Sequence, residues 1–264
     1  DYFDPNTAIF FCKKKPKVIT SIAMFYDLED PMRFMKQVYE LLDDDGIWVF
    51  EQSYMPAMLK NTSYDTICHE HLEYYGLAQI QWMAERNGMI IVDLEFNDSN
   101  GGSFCVTLAK AGSKFKPVNI SKILKSEKRL SFAKFSFDVW RQRVKLKDNI
   151  RKLIRGGKKI YGYGASTKGN VILQFCGLTN KDIIAVADRN PEKWGCFTPG
   201  TNIPIISEHE ARDNKPDYFL VLPYHFKSEI IKRESKYLKD GGSLIFPLPT
   251  FNVERSKTTK RRTK

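Results

Sequence analysis

A chain of 264 residues, 42% hydrophobic and 28% charged, has room for two ordinary domains and the composition of a globular rather than a disordered protein. Its net charge of +11 is unevenly placed: residues 114–159 hold 16 Lys/Arg against 3 Asp/Glu, residues 254–264 hold 6 against 1, and the remainder sums to −7. Charge confined to one segment and one tail argues against a nucleic-acid face; no apolar run reaches the ~18 residues of a spanning helix; and Cys12, Cys68, Cys105, Cys176 and Cys196, with no C-x-x-C pair, argue against a disulfide framework or a zinc knuckle.

The first residue is Asp1, no charged-then-apolar leader is visible, and a cytoplasmic protein is the expectation. Residues 17–25 have a buried-strand pattern. Asp30-Pro31 then opens a helix with Phe34, Met35, Val38, Leu41 and Leu42 on one stripe, ended by Asp43-Asp44-Asp45-Gly46, and residues 47–51 resume as a strand. Strand, helix and strand in so short a span predict a βαβ unit with parallel strands. A helix over 78–87 ending at Gly88 follows, then strands over 89–95 and 103–110 joined by a turn at 97–102. Residues 121–155 carry a helical period, closed by Gly156-Gly157, and most of the basic excess, which solvates an outer face and could also attract a phosphorylated substrate. A second α/β unit runs through a strand at 159–164, a helix at 168–176, strands at 183–188, 218–222 and 243–247, and a helix at 228–238. These elements predict an α/β domain over 1–112, a basic helical connector over 113–157, a second α/β domain over 158–253, and a solvated basic tail over 254–264.

Two stretches carry chemistry. Tyr64-Asp65-Thr66-Ile67-Cys68-His69-Glu70-His71-Leu72-Glu73-Tyr74-Tyr75 places two of the four histidines beside three carboxylates and three tyrosines. A proton acceptor, an orienting acid and phenolic donors so close together suit the acid/base centre of an enzyme. His69 and His71 could instead ligate a metal from one strand face, but Glu73 stands where H-E-x-x-H needs its second histidine, and only Cys68 or Glu70 offers a third ligand. The second stretch, Gly162-Tyr163-Gly164-Ala165-Ser166-Thr167-Lys168-Gly169-Asn170, follows a strand and opens a helix, with Asp188 at the end of the next strand where a ribose-binding acid sits. It is not a Walker A loop, and Thr167 breaks the G-x-G-x-x-G spacing. His209 reads as a surface residue, whereas His225, in Leu222-Pro223-Tyr224-His225-Phe226 after a strand, lies where α/β proteins bind ligands.

Taken in order, Phe25-Tyr26-Asp27-Leu28-Glu29-Asp30-Pro31, Trp48-Val49-Phe50-Glu51-Gln52-Ser53-Tyr54-Met55-Pro56, the 64–75 and 162–170 stretches, Asp188-Arg189-Asn190-Pro191 and Leu222–Phe226 resemble one family. It is the S-adenosylmethionine-dependent C-methyltransferases of nucleotide-activated deoxysugars, such as the TDP-4-keto-6-deoxysugar 3-C-methyltransferases. The resemblance covers nearly all of residues 17–253. It implies an α/β protein made of a partial class I methyltransferase (Rossmann-like) domain, a helical connector and a second Rossmann-like domain. The family's zinc module and its glycine-rich cofactor loop are not in this sequence, so an N-terminally truncated member is expected. By resemblance His71 is the base, Glu70 and His69 assist or orient it, and Tyr64 or Tyr74 donates to the developing enolate oxygen. Ala23, Met24, Phe25 and Tyr26 would face the methionine end of S-adenosylmethionine. Gly162, Gly164, Ala165, Ser166, Thr167, Lys168, Asn170, Asp188, Tyr224 and His225 would grip a TDP-linked sugar from the second domain, with the reaction in the interdomain cleft. No resident metal, nucleic acid or membrane partner is implied. Three rivals are an NAD(P)-linked oxidoreductase, a non-catalytic nucleotide-sugar-binding remnant and a metal-dependent hydrolase.

Overall fold

The computed structural model describes residues 7, 8, 10 and 14–256; Cys12 and the tail beyond Ser256 lie outside the described residues. Two compact units emerge, residues 1–60 with 69–132, and residues 61–68 with 133–264.

In the first unit the Asp30 carboxylate accepts the Arg33 amide at 2.9 Å and Pro31 fills the first turn, so helix α1 (Pro31–Leu41) starts where its sequence signals. Its stripe of Phe34, Met35, Val38 and Leu41 is buried. Strands β1 (Val18–Ile22) and β2 (Ile47–Ser53) flank α1 and pair in parallel, as the βαβ pattern predicts. Helices α2 (Met55–Asn61) and α3 (Leu77–Arg86) follow, then β3 (Met89–Asn97) and β4 (Ser103–Lys110), which pair antiparallel. The sheet order is β1-β2-β4-β3, and α4 (Ser121–Glu127) closes the unit. Alternation along β2 sends Trp48, Phe50 and Gln52 to the buried face. Phe25, Phe34, Trp48 and Phe50 form an aromatic core there, and the Trp48 indole finds Ser21 Oγ at 3.0 Å.

The first strand stops at Ile22, short of the expected 25, because Ala23 takes a left-handed φ of 54° and a 3-10 turn occupies Phe25–Asp27.

The second unit is a six-stranded sheet ordered β10-β9-β8-β5-β6-β7, from β5 (Ile160–Tyr163), β6 (Val186–Asp188), β7 (Ile205–Ser207), β8 (Tyr218–Val221), β9 (Ser243–Phe246) and β10 (Asn252–Arg255). Only β10 runs antiparallel to its neighbour. Helix α5 (Phe132–Arg155), expected as a connector, buries Val139, Leu146 and Ile150 in this unit's core and leaves most of its Lys and Arg in solvent. The basic excess is therefore largely a solvated helix face. Helices α6 (Thr167–Cys176), α7 (Glu208–Asp213), α8 (Lys227–Arg233) and α9 (Ser235–Lys239) complete the unit. The helix expected over 228–238 breaks at Glu234, a carboxylate held inside by Tyr163 and Arg212. Among the described residues no helix is long and apolar enough to cross a membrane.

Candidate functional site

The 64–75 stretch divides between the units: residues 61–68 fold with the second and residues 69–75 with the first. In the first unit the bend at Ala23, whose amide donates to the Glu51 carbonyl at 2.8 Å, carries the chain off the end of β1. Phe25 drops into the core, and the Tyr26 carbonyl accepts the amides of both Leu72 and Glu73 at 3.0 Å. Those bonds lay the His71 imidazole against the Tyr26 ring, 4.4 Å between centroids. Burial raises the pKa of the neighbouring Asp27 carboxyl, with His71 acting to lower it and Glu70 to raise it. Residues 23–26 and the His69, Glu70, His71, Tyr74 group, far apart in sequence, thus belong to one local structure. His69 and Glu70 are exposed; His71 and Tyr74 are half-buried.

Residues 69–75 lie outside any strand, so the strand face needed to pair His69 with His71 on a metal is not there. Among the described residues no group of His, Cys, Asp and Glu could hold a metal ion. At the end of β2, the Gln52 amide, Ser53 Oγ and, nearby in the core, the Tyr75 hydroxyl are buried without hydrogen-bond partners.

In the second unit, sheet order reverses at β5, whose neighbours are β6 and β8. A crevice at such a reversal is where open α/β sheets bind ligands. A cavity of about 390 Å³ opens there, walled by Gly164–Ser166 after β5, Asp188–Asn190 and Lys193 after β6, Pro223 and Phe226 after β8, and Arg233. Gly164 has φ +85°, and a Cβ on it would stand 2.8 Å from Pro223, so the loop needs glycine. Gly169 lets α6 approach Leu222 closely, where a Cβ would sit 2.8 Å away.

The loop's polar groups are partly engaged already. Ser166 caps α6 by accepting the Gly169 amide at 3.1 Å. Asp188 accepts the Ala165 amide at 2.6 Å and the Asn190 amide at 2.8 Å, tying the glycine loop to the end of β6. Thr167 and Asn170 are half-buried on the first turn of α6. Tyr163, Glu208 and Glu229 also line the cavity. Tyr163 donates to Glu234 at 2.8 Å, Arg212 bridges Glu208 and Glu234, and Arg233 reaches both Glu208 and the Tyr163 hydroxyl.

Asp65 is fully buried, accepts the Tyr224 hydroxyl at 2.8 Å and faces His225 Nε2 at 3.2 Å. Lys168 shares this environment: burial lowers its pKa, while Asp65 and Cys68 act to raise it. Tyr64 packs on Phe175 in the core with its hydroxyl 3.5 Å from Cys176 Sγ.

Sequence reasoning named Tyr224, His225 and Lys168 but not Asp65, Arg189, Lys193 or Arg233. Arg189 and Lys193 follow Asp188 closely enough to have been read from the phosphate-loop logic. Arg233 sits on a helix too ordinary to signal a site.

A family described as C-methyltransferase C-terminal domain matches residues 98–249, and one described as methyltransferase domain matches residues 3–94. The C-methyltransferase NovU of Streptomyces niveus is 33% identical over 243 residues, covering 89% of this chain and 58% of its own length. The chain therefore spans somewhat over half of that relative. Among solved structures, an S-adenosylmethionine-dependent methyltransferase from Clostridium acetobutylicum aligns with 38% of the chain and 60% of its own, at 14% identity and TM-score 0.32. A putative methyltransferase from Bacillus halodurans aligns with 37% of the chain and 65% of its own, at 10% identity and TM-score 0.31.

Proposed function

The chain belongs to the C-methyltransferase family, and from that premise we propose that it takes part in methylating a carbon of a nucleotide-activated keto-deoxysugar with S-adenosylmethionine. The observation that carries this reading is the packing of His71 on Tyr26, which joins the candidate base to the candidate cofactor segment within one unit.

His71 is the proposed general base. The lone pair on an unprotonated ring nitrogen is the proton acceptor. It removes the proton from the carbon beside the sugar's ketone; the C–H electron pair forms the enolate double bond and the carbonyl oxygen takes the charge. Tyr74 is the better candidate donor to that oxygen, since the Tyr64 hydroxyl is turned to Cys176. Glu70 and His69 orient His71 or assist its proton transfer.

For S-adenosylmethionine, the residues present fit the methionine end. The bend at Ala23, the half-buried Met24 and the unpartnered Gln52 amide offer backbone and polar groups where β1 and β2 end. Phe25 and Tyr26 contribute through their backbone and by shaping the core below. When bound, the cofactor supplies an electrophilic methyl on a sulfonium sulfur.

In the second unit the cavity at the β5/β8 reversal is the proposed nucleotide-sugar site. Its glycine loop, Arg189, Lys193 and Arg233 suit a diphosphate, and Ala165, Ser166 and Asp188 line it; Gly162, Thr167, Lys168, Asn170, Tyr224 and His225 lie outside the lining, on the adjoining strand, helix turn and 3-10 turn. A location in the cytoplasm, where nucleotide sugars and S-adenosylmethionine are made, belongs to the same proposal.

Calorimetric titration with TDP, S-adenosylmethionine and NADH in parallel tests the reading. Binding of TDP is the expected result, and S-adenosylmethionine binding would show a working cofactor site as well. NADH binding with neither of the others would overturn it in favour of an oxidoreductase.

A further inference from the structure

Helix α8 carries Glu229 and Arg233 one turn apart, the spacing at which a helix pairs a carboxylate with a guanidinium. Both line the cavity, yet no ion pair joins them among the described residues. Arg233 turns instead to Glu208, 25 residues back, with Nη2 at 3.0 Å from Oε1. The same nitrogen donates to the Tyr163 hydroxyl, and the guanidinium lies 5.1 Å from the centre of that ring. Tyr163 in turn donates to Glu234 Oε1 at 2.8 Å, and burial together with Glu234 pushes its pKa far up, so it stays a donor. Glu234 is buried, and its second oxygen accepts from Arg212 Nε at 3.1 Å. Arg212 closes the ring by donating to Glu208 Oε2 at 2.9 Å. Two carboxylates thus cancel two guanidiniums around a buried phenol. Such a ring adds little net stability over apolar packing; what it can supply is a fixed geometry.

The brace holds Arg233 by one edge. Its contacts use Nη2 and, at 3.8 Å from Glu234, Nε; Nη1, with two N–H groups, has no hydrogen-bond partner among the described residues. A guanidinium does not deprotonate in a protein, and this one lies on the cavity wall with its side chain 30% exposed. We infer that Tyr163, Glu208 and Glu234 are positioning residues that hold Arg233 with Nη1 presented to the cavity, a preset contact for a phosphate oxygen of the ligand. A guanidinium already fixed loses little freedom when the anion arrives. The identity of the anion rests on the nucleotide-sugar reading of the cavity; the brace does not.

The brace predicts an effect opposite in sign to simple electrostatics. Glu208 is an anion on the cavity wall, so by Coulomb attraction alone Glu208→Gln should strengthen the binding of a phosphate. If Glu208 holds Arg233, the same change should weaken it. The test is calorimetric titration of the full chain with TDP and with inorganic pyrophosphate, alongside a ¹⁵N–¹H spectrum of the arginine side chains with Arg233 assigned by its substitution. In the unsubstituted protein the Arg233 Nη signals should be separately resolved, as for a restrained guanidinium, and Glu208→Gln should average them. Arg233→Ala should weaken both ligands by roughly tenfold, the size of one charge-assisted hydrogen bond, and Glu208→Gln by a part of that. In the Arg233→Ala background Glu208→Gln should no longer weaken either ligand, because it acts through Arg233. A purely structural Glu208 would not give that reversal. Averaged Arg233 signals in the unsubstituted chain overturn the brace, and this measurement does not depend on a variant folding. Unchanged affinity in Arg233→Ala overturns the phosphate contact, and unchanged or tighter binding in Glu208→Gln overturns the positioning role. If Arg233 is restrained yet neither TDP nor pyrophosphate binds, the phosphate contact falls with the nucleotide-sugar reading and the brace stands.

Discussion

Exchanging the His71 imidazole for a carboxamide removes a base and keeps its approximate size. His71→Asn should lower methyl transfer by ~10²–10⁴-fold in a preparation that turns over, with TDP affinity unchanged. Turnover equal to the parent would remove His71 as the base. Gly164→Ala meets two obstacles at once, the φ of +85° and Pro223 at 2.8 Å, and should cost about 1–3 kcal/mol in urea unfolding while also weakening TDP binding. At this scale the sequence was informative about which residues carry chemistry and silent about how they sort. Tyr64 to Tyr75 stands out as a run because titratable side chains crowd together. Nothing in a linear run says that Asp65 answers to Tyr224 and His225 while His71 answers to Tyr26. The partners lie 159 and 160 residues away in one case and 45 in the other, and only the folded chain supplies them.

Helix α3 shows an element held by a residue from another one. Its first amides, Leu77 and Ala78, donate to the two oxygens of Glu127 at 2.7 and 3.1 Å, and Tyr54 donates to the same carboxylate at 2.7 Å. Negative charge at a helix N-terminus is favourable, and here it also satisfies a buried phenol. Glu127→Ala should destabilise the first unit by about 1–3 kcal/mol, because the Tyr54 hydroxyl is left without its acceptor; chemical denaturation would measure it, and a loss below a few tenths would mean another group replaces the carboxylate. Elements with strong local grammar were legible: the capped, amphipathic α1, the Gly156-Gly157 stop after α5, and the alternating strands of the first sheet. Strands β7 and β10 escaped. The first has three residues, and the second is the polar Asn-Val-Glu-Arg on a sheet edge, so neither carries enough hydrophobic pattern to be seen without its neighbours.

For the molecule as a whole, buried phenols set the alkaline limit of stability. Burial, together with the Cys176 and Asp65 neighbours, raises the folded-state pKa values of Tyr64 and Tyr224 well above the ordinary 10.0. A folded pKa above the unfolded one means that these phenols favour the folded state fully below pH ~10, and that this contribution is lost as pH climbs toward the folded values. Stability should therefore fall above pH ~10 by about 1.4 kcal/mol per pH unit for each phenol that ionises only on unfolding. Denaturation curves across that range, with tyrosinate absorbance followed in parallel, would check it; ionisation of these phenols before unfolding would contradict it.

Residues 61–68 have one more implication, for how such a protein can be inherited. Because they fold with the second unit while the chain on both sides folds with the first, the polypeptide changes unit after residues 60, 68 and 132. A second unit cut out at a single point near residue 132 would lack the Tyr64 ring and the Asp65 carboxylate, and one recombined there would set Tyr224 and His225 against the other parent's 61–68 segment. Exchange of the second unit between relatives keeps its packing only if this short insert travels with the distant C-terminal half.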